Sequence, residues 1–217
     1  MLKKKNKSDI FKSYLLSNAS YSSIWEIPKL NGSHLKPTKI IPFSKALTST
    51  DYEAWVGFYE DDSKFIRVWR NPRRYLPILR RFQGVISPDF SLYRNMPLIM
   101  QAWSVFKSRA LAHWWEINGI EVIPNIRFST QCSYPFAFAG IKKYSTVAVG
   151  IHGCWHKNED RKYFKKGFIT MVDVLKPKCI VIYGTEQKVF FNPFRERGIE
   201  IICFPSSCEL AHKKVHH

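Results

Sequence analysis

The chain is expected to fold as an α/β protein on a mainly parallel sheet with helices on both faces, either open and doubly wound or curled into a partial barrel. Three observations predict this. Strand-length segments such as 179–184 are continuous apolar runs, the mark of strands buried on both sides. They alternate with segments whose apolar residues recur every three or four positions, as helices with one buried face require. Finally, 217 residues with 45% hydrophobic and 15% aromatic content can enclose a substantial core. The expected organisation is a basic, largely irregular N-terminal arm with a short helix over residues 1–50, then a single α/β domain over 51–217.

Residues 1–8 read as a basic tail, and 9–17 as a short helix presenting Phe11, Leu15 and Leu16. Pro, Ser, Thr and Lys crowd residues 28–50, which predicts an irregular stretch wrapping the domain. The run Ala54-Trp55-Val56-Gly57-Phe58-Tyr59 is a strand, ended by the acidic turn Glu60-Asp61-Asp62. Residues 65–69 read as a second extended piece with Phe65, Arg67 and Trp69 on one face. Asn71 suits an N-cap and Pro72 the first helical position, so a helix follows to Phe82, kinked or delayed by Pro77.

Gly84-Val85-Ile86-Ser87 is the next strand, and Pro97 opens a long helix to Asn118. In that helix Ile99, Trp103, Phe106, Ala110, Trp114 and Ile117 share a face, and Gly119 ends it. Strands follow at 120–126 and 145–151. A helix from Asn158 or Glu159 to Leu175 is stopped by Pro177. A strand at 179–184, a short helix at 191–197 ended by Gly198, and a last strand at 199–204 complete the reading.

The formal net charge is +17 and the pI near 9.8, an excess that favours a polyanionic partner, nucleic acid foremost. A compositional surplus of Lys would by itself give the run Lys3-Lys4-Lys5-Asn6-Lys7. Between Lys64 and Arg109, however, ten basic residues face a single acid, Asp89. No window approaches the roughly 18 consecutive apolar residues of a spanning helix, and Lys12 and Ser13 interrupt the first apolar stretch. A cytoplasmic protein with no membrane contact is therefore expected. Five cysteines, an odd set with Cys179 and Cys203 inside apolar runs, fit a reducing compartment.

In parallel sheets and barrels, ligands bind beyond the carboxyl ends of the strands. Those ends supply Tyr59 and the acidic turn, Asp89 and Ser91, Asn125 and Arg127, then His152, Cys154 and His156, and finally Tyr183 to Glu186. The candidate site is Asp89, Asn125, Arg127 and Tyr183. Asp89 would act as general base, metal ligand or arginine clamp, with the other three positioning a phosphate or sugar. Asp and Asn after Pro are equally turn formers, which is the competing structural role for Asp89 and Asn125.

A second candidate surface is Arg67, Arg70, Arg73, Arg74, Arg80 and Arg81, interleaved with Trp69 and Tyr75. Arginines grip phosphates in a fork while exposed rings stack on unpaired bases, unless the rings belong to the core and the arginines to its rim. The spacing of His152, Cys154 and His156, even with Cys203 or Cys208, matches no paired-ligand pattern, so no metal site is predicted. No Gly-x-Ser-x-Gly elbow, dinucleotide loop or P-loop occurs, which disfavours a P-loop ATPase or nicotinamide-dependent dehydrogenase and names no cofactor.

Several motifs together resemble domain-of-unknown-function family 4417, found in bacteriophages and other mobile elements. They are Arg70-Asn71-Pro72-Arg73-Arg74-Tyr75; Gly84 to Ser87 running into Pro88-Asp89-Phe90-Ser91; Met96-Pro97 with Gln101; Gly119-Ile120 leading to Ile123-Pro124-Asn125; Gly140-Ile141; Gly167; and Pro177 through Tyr183-Gly184. The resemblance implies a phage or mobile-element setting and no activity. Three functions remain open: a nucleic-acid-binding protein of replication or host takeover, an enzyme on a nucleotide or nucleic-acid substrate through Asp89, and an inhibitor of a host protein through the basic face.

Overall fold

The longer strands form where β-branched and aromatic residues cluster, and from residue 40 to residue 183 every strand is followed by a helix. A computed structural model describes residues 9–151, 153–155 and 157–206. A small antiparallel pair, β1 (Tyr21–Ser22) and β2 (Ile27–Pro28), precedes the main sheet. Strands β3 (Ile40–Pro42), β4 (Trp55–Gly57), β5 (Gly84–Ile86) and β6 (Val122–Ile123) then pair in parallel in chain order. So do β7 (Thr146–Gly150), β8 (Cys179–Tyr183) and β9 (Glu200–Phe204).

A parallel bridge between Asn125 and Ala148 joins the two sets. There Ile126 N donates to Ala148 O at 2.8 Å and Ala148 N to Pro124 O at 2.9 Å. Seven parallel strands therefore follow one another without the reversal of order that defines a doubly wound sheet. Of the two expected arrangements, this order selects the partial barrel.

The connections carry α1 (Phe43–Ala46), α2 (Asp62–Arg70), α3 (Pro72–Leu79), α4 (Leu98–Ile117), α5 (Tyr134–Ala137), α6 (Asn158–Leu175) and α7 (Lys188–Glu196). Alternation along the strands sends Val56, Phe58, Val85 and Val122 outward, into one core with Phe65, Leu79, Leu111 and Trp115 of the helices. Val147, Val149, Ile180 and Ile182 pack outward likewise against Phe164, Phe168 and Phe191. The other parity fills the interior: Ile40, Trp55, Ile86, Ile123, Ala148, Val181 and Phe204 form one cluster. Tyr59, just beyond β4, stacks on Tyr183, the last residue of β8, with ring centroids 4.4 Å apart although β5, β6 and β7 lie between the two strands, and that contact records the curl of the sheet. Gly84 is needed here, since a Cβ on it would stand 2.6 Å from the Trp55 ring. The covering of both faces thus comes from helices outside and from the sheet's own side chains inside.

Four local expectations are corrected. Residues 65–69 are not extended but lie within α2, where Phe65 and Val68 are buried one turn apart, a spacing of three instead of two. Phe65, Arg67 and Trp69 consequently do not share a face. Residues 40–46, read as irregular, form β3 and α1, with Phe43 and Ala46 in the core. The expected helix at 9–17 shrinks to a 3-10 turn at Ser13–Leu16, and the strand at 120–126 to Val122–Ile123 plus the bridge at Asn125. Asn71 stands at the cap position before Pro72 without making a side-chain cap hydrogen bond.

Candidate functional site

The carboxyl ends of β4, β5 and β6 bring four predicted or neighbouring polar residues into one hydrogen-bonded chain. The Tyr59 hydroxyl donates to Asn125 Oδ1 at 3.0 Å, and Asn125 Nδ2 donates to Asp89 Oδ1 at 2.8 Å. Arg127 Nη1 donates to the other carboxylate oxygen, Oδ2, at 3.4 Å. Tyr183 closes the group by stacking on Tyr59, with centroids 4.4 Å apart and planes 11° from parallel. Gly150 at the end of β7 makes room for this, because a Cβ there would stand 2.9 Å from the Tyr59 ring and 3.4 Å from Asp89 Oδ2.

Local packing aims Asp89 into that chain. The Pro88 carbonyl accepts from Ser108 Oγ of α4 at 2.7 Å, and the next ring, Phe90, packs on Phe65 at 5.2 Å. Ser91 then donates its N–H and its hydroxyl to the Asp62 carboxylate, so the start of α2 pins the far end of the motif. Asp89 is therefore neither a turn former nor a helix cap; both its oxygens face long-range partners. Asn125 is clamped as firmly. Its N–H donates to Ser87 Oγ at 2.9 Å, and its carbonyl accepts from Arg109 Nη1 at 2.9 Å.

The electrostatics follow from burial. The Asp89 side chain is 13% exposed. Burial raises its pKa above the ordinary carboxylate value, against the pull of Arg127 and of the Asn125 hydrogen bond. Burial also holds the Tyr59 hydroxyl protonated well past its usual range, with the Asp89 charge adding to the effect. Arg127 is driven the other way, its positive form stabilised chiefly by Asp89. The result is a buried carboxyl whose neutral form is favoured relative to an exposed one, with a guanidinium fixed beside it. Among the described residues, no group of three His, Cys, Asp or Glu converges in a way that could hold a metal. Of the zinc candidates weighed in the sequence, His152, His156 and Cys208 lie outside the described residues.

A cavity of about 270 Å³ opens beside Arg127, lined by Tyr93, Arg94, Phe128, Cys154, Asp160 and Tyr163 among others. The strand-end network forms its neighbour through Arg127.

The expected arginine field around Asp89 divides into separate places. Arg109, counted in that field, is 1% exposed and sits in the core, where it donates to the carbonyls of Asn125 and Ala137; burial pushes its pKa down to about 9. Arg80 donates to the Asn118 carbonyl at the C-terminus of α4, and Arg81 lies 4.3 Å over the Tyr52 ring before β4. Both positions are at the amino ends of the strands, opposite Asp89. Arg67, Arg70, Arg73 and Arg74 lie along α2 and α3, with Arg73 4.3 Å over the Tyr14 ring. Of the predicted phosphate-binding arginines only Arg127 touches the carboxylate. Tyr59, noted as a strand end but not chosen for the site, belongs to it, as does Arg109 in a supporting place. The signal for Tyr59 was its position beyond an apolar run, the same signal that selected Tyr183.

The family model described as Domain of unknown function (DUF4417) matches residues 19–205, from before β1 to the end of β9. The chain belongs to this family. All the network residues lie in the DUF4417 region. The Gene 1 protein of Mycobacterium phage L5 is 34% identical over 171 residues, covering 75% of this chain and 72% of that protein. The Gene 1 protein of Mycobacterium phage D29 is 33% identical over 171 residues, with 75% of this chain and 62% of that protein covered, so the chain spans under two thirds of the D29 protein. No solved structure matches. No helix among the described residues is long and apolar enough to cross a membrane.

Proposed function

We propose that this protein binds nucleic acid, in the replication or host takeover of a bacteriophage or mobile element, through the arginines of α2, α3 and the turn that follows. One observation carries the reading. Arg67, Arg70, Arg73, Arg74, Arg80 and Arg81 have no carboxylate partner among the described residues, whereas Arg94, Arg127, Arg195 and Arg197 each have one. Five of the six are exposed. Unneutralised guanidinium groups along two consecutive helices offer forks for phosphates, and the stacking of Arg73 and Arg81 on tyrosine rings limits the side-chain entropy lost on binding. The test is fluorescence anisotropy with labelled single-stranded DNA, duplex DNA and RNA, comparing wild type with Arg70→Ala/Arg73→Ala/Arg74→Ala. Binding lost in the variant supports the reading, and no binding by wild type even at low salt removes it.

A second reading, an enzyme acting on a nucleotide or nucleic-acid substrate, is favoured by the Tyr59–Asn125–Asp89–Arg127 chain beside the cavity. Here Asp89 is the base, with Asn125, Arg127 and Tyr183 positioning the sugar of the substrate. Under this reading Asp89→Asn abolishes turnover of a nucleotide substrate while the circular dichroism spectrum and thermal midpoint stay near wild type. Turnover retained by that variant sets it aside.

A further inference from the structure

We propose that the cavity beside Arg127 takes a single unstacked nucleobase with its sugar, a site separate from the phosphate-binding face and resting on the reading of nucleic acid as the partner. The argument begins with size. At about 270 Å³ the cavity lies just under the roughly 300–1,000 Å³ of pockets for drug-sized ligands, which leaves room for one nucleoside. Its walls are aromatic: Phe128 is partly buried, Tyr163 carries the Arg94 guanidinium 4.6 Å over one face of its ring, and Tyr93 at the rim is 55% exposed. A planar base stacks on such rings regardless of its identity.

Charge decides which end of a nucleotide enters. Arg94 is neutralised by Glu159 at 2.7 Å and Asp160 at 2.6 Å, and Arg127 by Asp89 at 3.4 Å. A phosphate gains little from guanidinium groups already paired, whereas the edge of a base needs donors and acceptors side by side. The cavity supplies both. Arg127 Nε and Nη2 donate to nothing among the described residues, and the Asp160 carboxylate keeps acceptor capacity beyond its bond to Arg94. The unneutralised arginines of α2 and α3 have the opposite character and suit the backbone. The two places are mechanically joined, since Asp62 at the start of α2 holds Ser91, one residue from Leu92 on the cavity wall.

Cys154 on the cavity wall gives a direct readout, with exposed Cys132 as an internal reference. The full-length protein is alkylated with iodoacetamide in the presence of adenosine, guanosine, cytidine or thymidine, and labelling of each cysteine is followed by peptide mass spectrometry. At least one nucleoside should slow Cys154 labelling severalfold without changing Cys132, and protection should persist at salt concentrations that abolish oligonucleotide binding. In Tyr163→Ala, and in the milder Asp160→Asn, the protection should fall while labelling without ligand continues. Absence of protection by all four nucleosides overturns the proposal, as does equal protection by ribose 5-phosphate, which carries no base. Because nucleosides lack phosphate, failure of the arginine-face reading leaves this outcome intact, and failure here leaves salt-dependent binding to polymers intact.

Discussion

Asp89 is held by two partners whose effects on its proton oppose the effect of its burial, and burial wins. The folded chain therefore keeps the proton at pH values where the unfolded chain has already lost it. That stabilising contribution is complete below the ordinary value of 3.8 and is lost as pH rises through the raised value. Urea midpoints of wild type and Asp89→Asn, followed upward from pH 3, should show wild type losing stability relative to the variant just above 3.8 and a constant difference near neutrality. A relative gain by wild type over that window would mean that Arg127 outweighs burial. Gly150 offers a steric test of the same group. A methyl at this position meets the Tyr59 ring at 2.9 Å, so Gly150→Ala should cost about 1–3 kcal/mol by urea denaturation, the usual penalty of overpacking. A neutral result would show that Tyr59 is free to move off Tyr183.

At the scale of elements, α2 shows how much of the fold could be read. Its nine residues carry apolar and aromatic side chains both two and three apart, so neither period dominates, and only tertiary packing of Phe65 between Phe58 and Phe90 settles it as a helix. Phe65→Ala should therefore cost about 3–5 kcal/mol by chemical denaturation, as truncation of a fully buried ring does; a cost under 1 kcal/mol would place that side chain outside the core. Longer signals were unambiguous. The spacing of α4 and α6 and the continuous run of β8 stand out because many residues repeat one pattern, and Gly119, at φ 79°, ends α4 as its sequence predicts. Three-residue β3 leaves no such trace inside a Pro- and Lys-rich stretch, and its place is fixed by pairing with β4. The candidate site was legible as strand ends, which is how Asp89, Asn125, Arg127 and Tyr183 were selected. Its wiring was not, because Tyr59 and Asn125 meet across 66 residues and Arg109 looks like one more surface cation until the core closes over it.

The whole molecule combines a curled parallel sheet, with a polar network at one end, and an arginine-lined helical face on its outer wall. Its net charge of +17 is spread unevenly: Glu60, Asp89 and Asp160 near the strand ends each face a cation, while the arginines of α2 and α3 face no carboxylate among the described residues. This unpaired charge is the physical basis of the proposed function, and a salt titration measures it. The decisive measurement is the binding constant for single-stranded DNA, duplex DNA and RNA as a function of salt, in wild type and in Arg70→Ala/Arg73→Ala/Arg74→Ala. Counterion release predicts a linear fall of log K with log salt, and a slope shallower by about 2–3 in the variant, because each lost phosphate contact removes about 0.7–0.9. Equal slopes in the two proteins, or no binding at low salt by wild type, would contradict the account.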